Sequence, residues 1–329
     1  MSMRRRISPL TCGKDVSRDS QARRARSGAR CPCFRRIAPW LAVVAALALV
    51  AAGPAHGDAS KSPLAAAIDR IVEGPALAHA FWGIEVRSLE SGRTLYERHA
   101  DKGFRPASTL KLVTTAAALD AFGPGARCDT TVETAARLDG RGRLLGDLFL
   151  VGRGDPGLSG RFDEGSPTGA FEAMASALLQ AGIRRVEGRL VGHEGAFSGA
   201  RRGPDWMVED LAWGYGAEVS ALTFNDNVVR VTLAPGERPG DPAALEVVPR
   251  TSFVRVVSAV VTGPVGAEED VVLDRPLGSN HIGLSGVLPR GGKWEEDVAV
   301  EDPARFAVTV FREVLEAKGI VVTGEVVTS

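Results

Sequence analysis

The feature that most constrains the fold is the stretch from Arg184 to Glu301, which consists of short valine-rich runs separated by turn residues. Short β-branched runs between glycine and proline predict strands rather than helices. The predicted strands cover residues 186–191, 225–233, 245–248, 253–261 and 271–273. With 38 Gly and 19 Pro in 329 residues, the chain is rich in turn formers. The sequence therefore predicts a mixed α/β protein with a large β-rich region.

Helical patterns lie on both sides of this region. Apolar spacing and end signals predict helices over residues 62–72, 109–122, 167–181 and 303–318, the last with Asp302 as its cap. Turn residues predict two hairpins, over 81–98 and 130–151, and a final strand over 320–327. We divide the chain into four regions: 1–57, 58–126, 127–301 and 302–329.

The basic charge is concentrated at the N-terminus. Residues 1–57 hold 11 basic and 2 acidic side chains, which leaves 29 basic against 38 acidic in the rest of the chain. The remainder is thus net negative, and nucleic-acid binding is disfavoured. A nucleotide site is also unsupported, because Gly152-x-Gly154 is not followed by a helix at phosphate-loop spacing.

The N-terminal region resembles an export signal. Arg35 and Arg36 precede the apolar segment Trp40–Ala52, and small residues follow it. We predict a cleaved signal peptide and a periplasmic or extracellular protein, with an uncleaved anchor at Trp40–Ala52 as the alternative. After cleavage only Cys128 remains, so no internal disulfide is expected.

The strongest candidate chemistry is in the segment Ser108-Thr109-Leu110-Lys111. Residues three apart share one face of a helix, so the Lys111 amine can reach the Ser108 hydroxyl. A neighbouring base activates a serine as a nucleophile, and the start of a helix favours developing negative charge. The four-residue pattern is weak by itself, since a capping serine and a solvated lysine would look the same.

Longer segments in the same order add specificity. The run from Phe104 to Leu119 resembles the nucleophile helix of the D-alanyl-D-alanine carboxypeptidase/endopeptidases of the penicillin-binding protein 4 type. The segments 146–156, 219–227 and 300–304 resemble inserted parts of that family. The resemblance implies an exported serine acyltransferase that acts on peptidoglycan stem peptides and is acylated by β-lactam antibiotics. It also implies a penicillin-binding/β-lactamase-like catalytic domain, here incomplete, with large β-rich inserted domains.

The sequence departs from this family in two later motifs. Such enzymes need a Ser-x-Asn loop and a Lys-Thr-Gly strand. After Lys111 neither occurs, since Ser279-Asn280 has the wrong spacing and Lys293 and Lys318 are not followed by Thr-Gly. We expect a C-terminally truncated enzyme that is inactive alone and exposes apolar surface, with poor solubility or association as a result.

Two further residues are weaker candidates for substrate binding. Asp155 could pair with the free amine of a peptide side chain, although an Asp-Pro sequence commonly just forms a turn. Asn225 could face the cleft or hold a loop. The scattered histidines show no metal-ligand spacing, so neither a metal nor another cofactor is expected.

The hypothesis is a serine D-Ala-D-Ala carboxypeptidase, possibly also an endopeptidase, with Ser108 as nucleophile and Lys111 as general base. The alternative is a non-catalytic cell-wall binding or scaffold protein derived from the same family. A β-lactamase shares the Ser-x-x-Lys motif but is not expected to carry the long strand-rich insertion. The oligomeric state does not follow from the sequence.

Overall fold

The computed structural model describes residues 62–162 and 165–329. The predicted export segment, including Trp40–Ala52, lies outside these residues. The chain divides into two compact units, Met1–Ala107 and Ser108–Ser329, which we describe separately. Within the described ranges, no helix has the length and apolar character needed to cross a bilayer.

The described part of the first unit is one helix and one hairpin: α1 (Pro63–Val72), β1 (Ile84–Arg87) and β2 (Thr94–Arg98). The Ser62 hydroxyl accepts a hydrogen bond from the Ala65 backbone N–H at 3.1 Å, which caps α1 at its start. The Tyr96 hydroxyl donates to Asp69 at 2.6 Å and joins β2 to α1. The predicted helix and hairpin are both confirmed.

The second unit contains three α-helices among its described residues: α2 (Leu110–Phe122), α3 (Gly169–Gln180) and α4 (Pro303–Ala317). Its strands, β3 to β16, are Thr131–Glu133, Arg137–Leu138, Arg143–Leu145, Leu148–Val151, Arg185–Val186, Leu190–His193, Val228–Ala234, Ala244–Val248, Arg255–Gly263, Asp270–Asp274, His281–Pro289, Trp294–Ala299, Val321–Val322 and Val326–Thr328.

These strands form four small sheets. Their strand orders are β15-β7-β5-β4, β16-β8-β6-β3, β10-β9-β14 and β11-β13-β12. In the last sheet β11 runs parallel to β13, whereas β12 runs antiparallel to it. The mixture of parallel and antiparallel pairs with packed helices makes this an α/β structure, as the sequence predicted.

The core of the second unit is aromatic. Phe171 of α3 stacks on Phe224 with ring centroids 4.6 Å apart, and it contacts Phe311 of α4 at 5.2 Å. Phe306 of α4 packs on Phe224 from the other side at 5.3 Å. All four rings are at most 1% exposed. This cluster fixes α3 and α4 to each other and to the start of β9.

Three predicted elements, one hairpin and two strands, are each divided between two sheets. The hairpin predicted over 130–151 has its turn at Asp139–Gly142 between β4 and β5, but β3 pairs with β6 in a different sheet. The strand predicted over 186–191 divides into β7 and β8, and the strand over 320–327 divides into β15 and β16.

Close backbone contacts at three glycines explain these splits. A Cβ built on Gly188 would lie 2.3 Å from the backbone of Gly146, and one on Gly324 would lie 2.2 Å from the backbone of Gly188. Gly146 also has a φ of 150°, a region that side-chain-bearing residues rarely adopt. The glycines let three chain segments cross from one sheet to the next in contact with each other.

Two strands had no clear signal in the sequence. Strand β13 contains two glycines and a terminal proline, and β14 carries three acidic residues, so neither has a strong β pattern. Both owe their structure to neighbouring strands, because β13 is the centre of its sheet and β14 pairs along β9.

Candidate active site

The predicted nucleophile and its partner lysine lie together at the start of α2. Ser108 occupies a single 3₁₀ turn, Ala107–Thr109, that leads directly into the helix. Lys111 Nζ donates a hydrogen bond to Ser108 Oγ at 3.2 Å. The spacing of three residues therefore produces the contact that the sequence predicted. Both residues are exposed, so the pair is accessible to a ligand.

Ser108 does not cap the helix. The N-cap position is Thr109, and no side-chain hydrogen bond caps the helix there. The capping role considered for Ser108 from its position is thus wrong, because the 3₁₀ turn places Ser108 one residue before the cap. Its hydroxyl is engaged with Lys111 instead, which favours the chemical role over the structural one.

Apolar residues lie on every side of helix α2, although it also carries Lys111 and Asp120, and none of its residues is buried. Leu112, Val113 and Phe122 are 73%, 65% and 65% exposed. A helix that is apolar all round is normally buried within a protein. The sequence predicts exposed apolar surface, and α2 carries part of the exposed apolar surface of the second unit.

Asp155 and Asn225 act within their own loops. Asp155 Oδ1 accepts a hydrogen bond from the Gly157 backbone N–H at 2.8 Å, the geometry of an Asp turn. The Asn225 side-chain amide donates to the Val228 carbonyl at 2.9 Å. Among the hydrogen bonds of the described residues, none joins either side chain to Ser108 or Lys111. The turn-forming and loop-holding interpretations therefore account for the contacts seen.

Asn225 begins an unusual backbone segment. The sequence predicts a strand from Asn225, but Asn225, Asp226 and Asn227 have φ values of 47°, 54° and 59°. Asn and Asp tolerate this left-handed region better than other residues with side chains. The segment is a 3₁₀ turn, and β9 begins only at Val228.

An open cleft of about 700 Å³ adjoins this turn. Asn225 and Asp226 lie on one side, and Trp213 and Tyr215 contribute aromatic side chains. Arg161 forms an ion pair with Asp226 across part of the lining. The sequence patterns do not predict this cleft, and the consecutive Asn-Asp-Asn residues at 225–227 are the only local signal of the turn beside it.

A buried ion-pair network contacts the segment 206–217, which carries Trp213 and Tyr215 and which we call the aromatic segment. Arg275 follows β12, and its side chain is 1% exposed. It donates to Glu301 Oε1 at 2.7 Å and to the Leu211 carbonyl. Leu211 lies next to Asp210, whose carboxylate accepts a hydrogen bond from the Tyr215 hydroxyl at 3.1 Å. Arg275 thus connects the sheet β11-β13-β12 to the aromatic segment.

The network extends through a pair of consecutive arginines. Arg202 contacts Glu301, and it lies 3.3 Å from Glu218. Arg201 lies 3.3 Å from Asp302 and also contacts Glu218 at 3.6 Å. Cations and carboxylates therefore alternate from Arg275 to the first turn of α4, and the aromatic segment is fixed at both ends.

Glu301 is the shared acceptor of the network. Burial alone would raise the pKa of its carboxyl group, but hydrogen bonds from Arg275 and Arg202 outweigh this effect and hold the pKa below its ordinary value. Glu301 is therefore ionised at neutral pH. Removal of either arginine would leave part of a buried negative charge unpaired.

Comparison with known proteins decides the family. The sequence model of the D-Ala-D-Ala carboxypeptidase 3 (S13) family matches residues 64–329. The chain belongs to this family. It is 35% identical over 290 residues to a D-alanyl-D-alanine carboxypeptidase of Actinomadura sp. (strain R39), an alignment that covers 85% of this chain and 52% of the relative.

A second relative has a solved structure. The chain is 23% identical over 248 residues to the D-alanyl-D-alanine carboxypeptidase DacB of Haemophilus influenzae. This alignment covers 74% of this chain and 49% of the relative. The crystal structure of penicillin binding protein 4 (dacB) from that organism aligns with a TM-score of 0.63 and 22% identity, over 75% of this chain and 52% of the other. The resemblance stated from the sequence is confirmed, and so is the fold. The chain spans about half the length of these relatives.

Proposed function

We propose that this chain carries the nucleophile of a serine D-Ala-D-Ala carboxypeptidase. The observation that supports this most directly is the 3.2 Å hydrogen bond from Lys111 Nζ to Ser108 Oγ at the start of α2, in a member of the S13 family. The proposed substrate is a peptidoglycan stem peptide that ends in D-Ala-D-Ala.

The chemistry would proceed in two steps. Lys111 accepts the Ser108 proton as Oγ bonds to the carbonyl carbon between the two D-alanines. The peptide C–N bond then breaks, the terminal D-alanine leaves with a proton on its nitrogen, and an acyl ester remains on Ser108. In the second step water attacks this ester and restores the serine. Transfer to water makes the reaction a hydrolysis. Release of the terminal D-alanine makes it a carboxypeptidase reaction, and cleavage of a cross-link would make it an endopeptidase reaction.

The helix start favours negative charge near Ser108, because the first N–H groups of a helix have no intrahelical acceptor. The residues that would complete proton transfer and hold the substrate carboxylate belong to the Ser-x-Asn and Lys-Thr-Gly motifs in similar enzymes. Neither motif occurs after Lys111 in this sequence. We therefore propose that the chain by itself does not turn over substrate.

β-Lactams are the proposed inhibitors. One solved structure of the Haemophilus influenzae protein, with a TM-score of 0.54 to this chain, is a complex with a β-lactam. A β-lactam would acylate Ser108 by opening of its ring amide, with no leaving group lost. The basic and apolar N-terminal segment supports export to the cell wall, where such a substrate lies.

The test is covalent labelling of the purified chain with benzylpenicillin, followed by intact-mass measurement. We expect a mass increase of one intact penicillin on the wild type and none on Ser108→Ala. The matched control is Ser91→Ala, since Ser91 is an exposed serine in the β1–β2 turn. Lys111→Met tests the base and should slow labelling at least about 100-fold.

Labelling without turnover of a D-Ala-D-Ala peptide would agree with the full proposal. Equal labelling of the wild type and Ser108→Ala would exclude Ser108 as the nucleophile. No labelling of protein shown by circular dichroism to be folded would favour the alternative, a cell-wall binding protein without catalysis. The open cleft beside Asp226 supports that alternative, and cosedimentation with purified peptidoglycan would measure it.

A further inference from the structure

The sheet β11-β13-β12 has one face in the core and one face in solvent. Val260 of β11 and Ile282, Leu284 and Leu288 of β13 are at most 3% exposed. Side chains alternate along a strand, so the neighbouring positions point to the opposite face. The registers β11–β13 and β12–β13 are continuous, and these outward positions therefore share one surface. We call this surface the outer face.

The outer face is apolar at its centre. Val257 and Val261 of β11 are 57% and 40% exposed, and Val272 of β12 is 54% exposed. Sheets with one solvated face normally carry polar residues on that face. Gly283 and Ser285 of β13 lie between these valines, and these small residues leave a shallow depression in the middle of the surface. The valines and the small residues between them form one contiguous apolar patch, and a patch of this kind with a polar rim can mark a protein-interaction site.

Charged residues stand on the two opposite edge strands of this face. Arg255 is on β11, whereas Asp274 and Asp270 are on β12. All three are exposed, and no side-chain ion pair or hydrogen bond joins them to another residue that the structure describes. The cation and the acids are separated by the central strand β13, and no ion pair joins them within the described part of the chain.

We propose that the outer face binds a second copy of this chain. A two-fold axis parallel to β13 would lay β11 of each copy over β12 of the other, the aligned arrangement common for packed sheets. Arg255 of each copy then faces the Asp274 edge of the other, twice per dimer. The valines of the two copies pack between these ion pairs and are removed from water.

The size of the face sets the strength of the dimer. Three strands about 4.8 Å apart and seven residues of about 3.3 Å give a footprint of roughly 300 Å². This is less than the roughly 800 Å² per partner of a standard interface. The dimer is therefore weak, and we expect a dissociation constant on the order of 10⁻⁵ M.

The test is sedimentation velocity across a concentration series, with charge reversals at the two edges. Arg255→Asp places acid opposite acid, and Asp274→Arg places base opposite base, so each variant alone should dimerise at least about 10-fold more weakly than the wild type. In an equimolar mixture, the acid introduced by the first variant faces the base introduced by the second, and the other edge keeps the native pairing of Arg255 with Asp274. The mixture should therefore form heterodimers as strong as the wild-type dimer. Val257→Glu should abolish dimerisation in every combination.

Helix α2 provides the competing explanation, because its apolar residues are also exposed. The matched control is Leu112→Glu, which should leave the outer-face dimer intact. If Leu112→Glu abolishes association while the edge variants do not, α2 is the contact and the proposal is wrong. A wild type that is monomeric at 10⁻⁴ M or higher, on the order of ten times the expected constant, also overturns it. Failure of the mixture to recover, when both variants are folded, overturns the pairing of Arg255 with Asp274.

Discussion

Helices α2 and α4 are of similar length but differ in almost every other respect. Helix α2 has exposed apolar residues on every side and no buried residue, whereas α4 buries nine side chains along one face. Helix α4 begins at an Asp cap beside a buried ion-pair network, and α2 begins at an exposed serine and lysine. The buried face of α4 holds the second unit together, whereas the start of α2 presents the proposed nucleophile and base in solvent.

The largest expected effect is in the aromatic core. Phe311→Ala in α4 should lower the free energy of unfolding by about 4 kcal/mol, because it removes a fully buried ring and leaves a cavity. The matched change Leu112→Ala in α2 should alter it by less than about 0.5 kcal/mol, since that side chain is largely exposed. Urea unfolding followed by circular dichroism measures both. Similar losses for the two variants would mean that α2 is buried in solution.

The next effect is at the start of α4. Arg275→Met should lower the free energy of unfolding by about 3 kcal/mol, because Glu301 loses a hydrogen-bonding partner in a buried position. The exposed pair Arg87–Glu85 is the control, and Arg87→Met should cost less than about 1 kcal/mol. Hydrogen exchange of peptides covering 206–217 should also increase in Arg275→Met. If exchange there is unchanged, Arg275 does not position the aromatic segment.

A smaller effect distinguishes the caps of the two helices. Asp302 accepts a hydrogen bond from the Arg305 backbone N–H at 3.4 Å. Asp302→Ala should therefore lower the free energy of unfolding by about 1 kcal/mol. Asp302→Asn should retain much of the cap, and asparagine also tolerates the local φ of 56°. Thermal unfolding measures these variants and Ser108→Ala, which should leave stability unchanged because Ser108 is not a cap. Destabilisation by Ser108→Ala would mean that Ser108 stabilises the start of α2 after all.

The smallest effect is a pH dependence. The folded-state pKa of Glu301 is below its ordinary value, so its contribution to stability is complete above the ordinary glutamate pKa and is lost as the pH falls through the folded pKa. The stability difference between the wild type and Glu301→Gln should therefore shrink as the pH falls below about 4.5. Urea midpoints at pH 7, 5 and 3.5 measure it. A constant difference would show that Glu301 is not the titrating group.

Local patterns predicted several parts of the molecule. Asp302-Pro303 and Gly319 predicted the bounds of α4 within one residue, because caps and helix breakers act on neighbouring residues. The spacing of Ser108 and Lys111 predicted their contact, since a helix places residues three apart on one face. The first hairpin also follows from its own turn.

Other parts depend on distant residues. Strands β13 and β14 have weak patterns and form because their neighbours pair with them. The splits near Gly146 and Gly188 result from backbone contacts between segments far apart in the sequence. The network around Arg275 joins residues up to 101 positions apart, so no local pattern indicates it.

The sequence by itself determined the family, the contact between Ser108 and Lys111 at the start of α2 and the ends of the main helices, because these depend on short-range geometry and on ordered motifs. Only the tertiary structure decided which arginines are buried, where the strands cross between sheets, and which valines remain in solvent. The physical reason is that burial and pairing depend on contacts between elements, and every strand of alternating valines has two faces that the sequence alone does not distinguish.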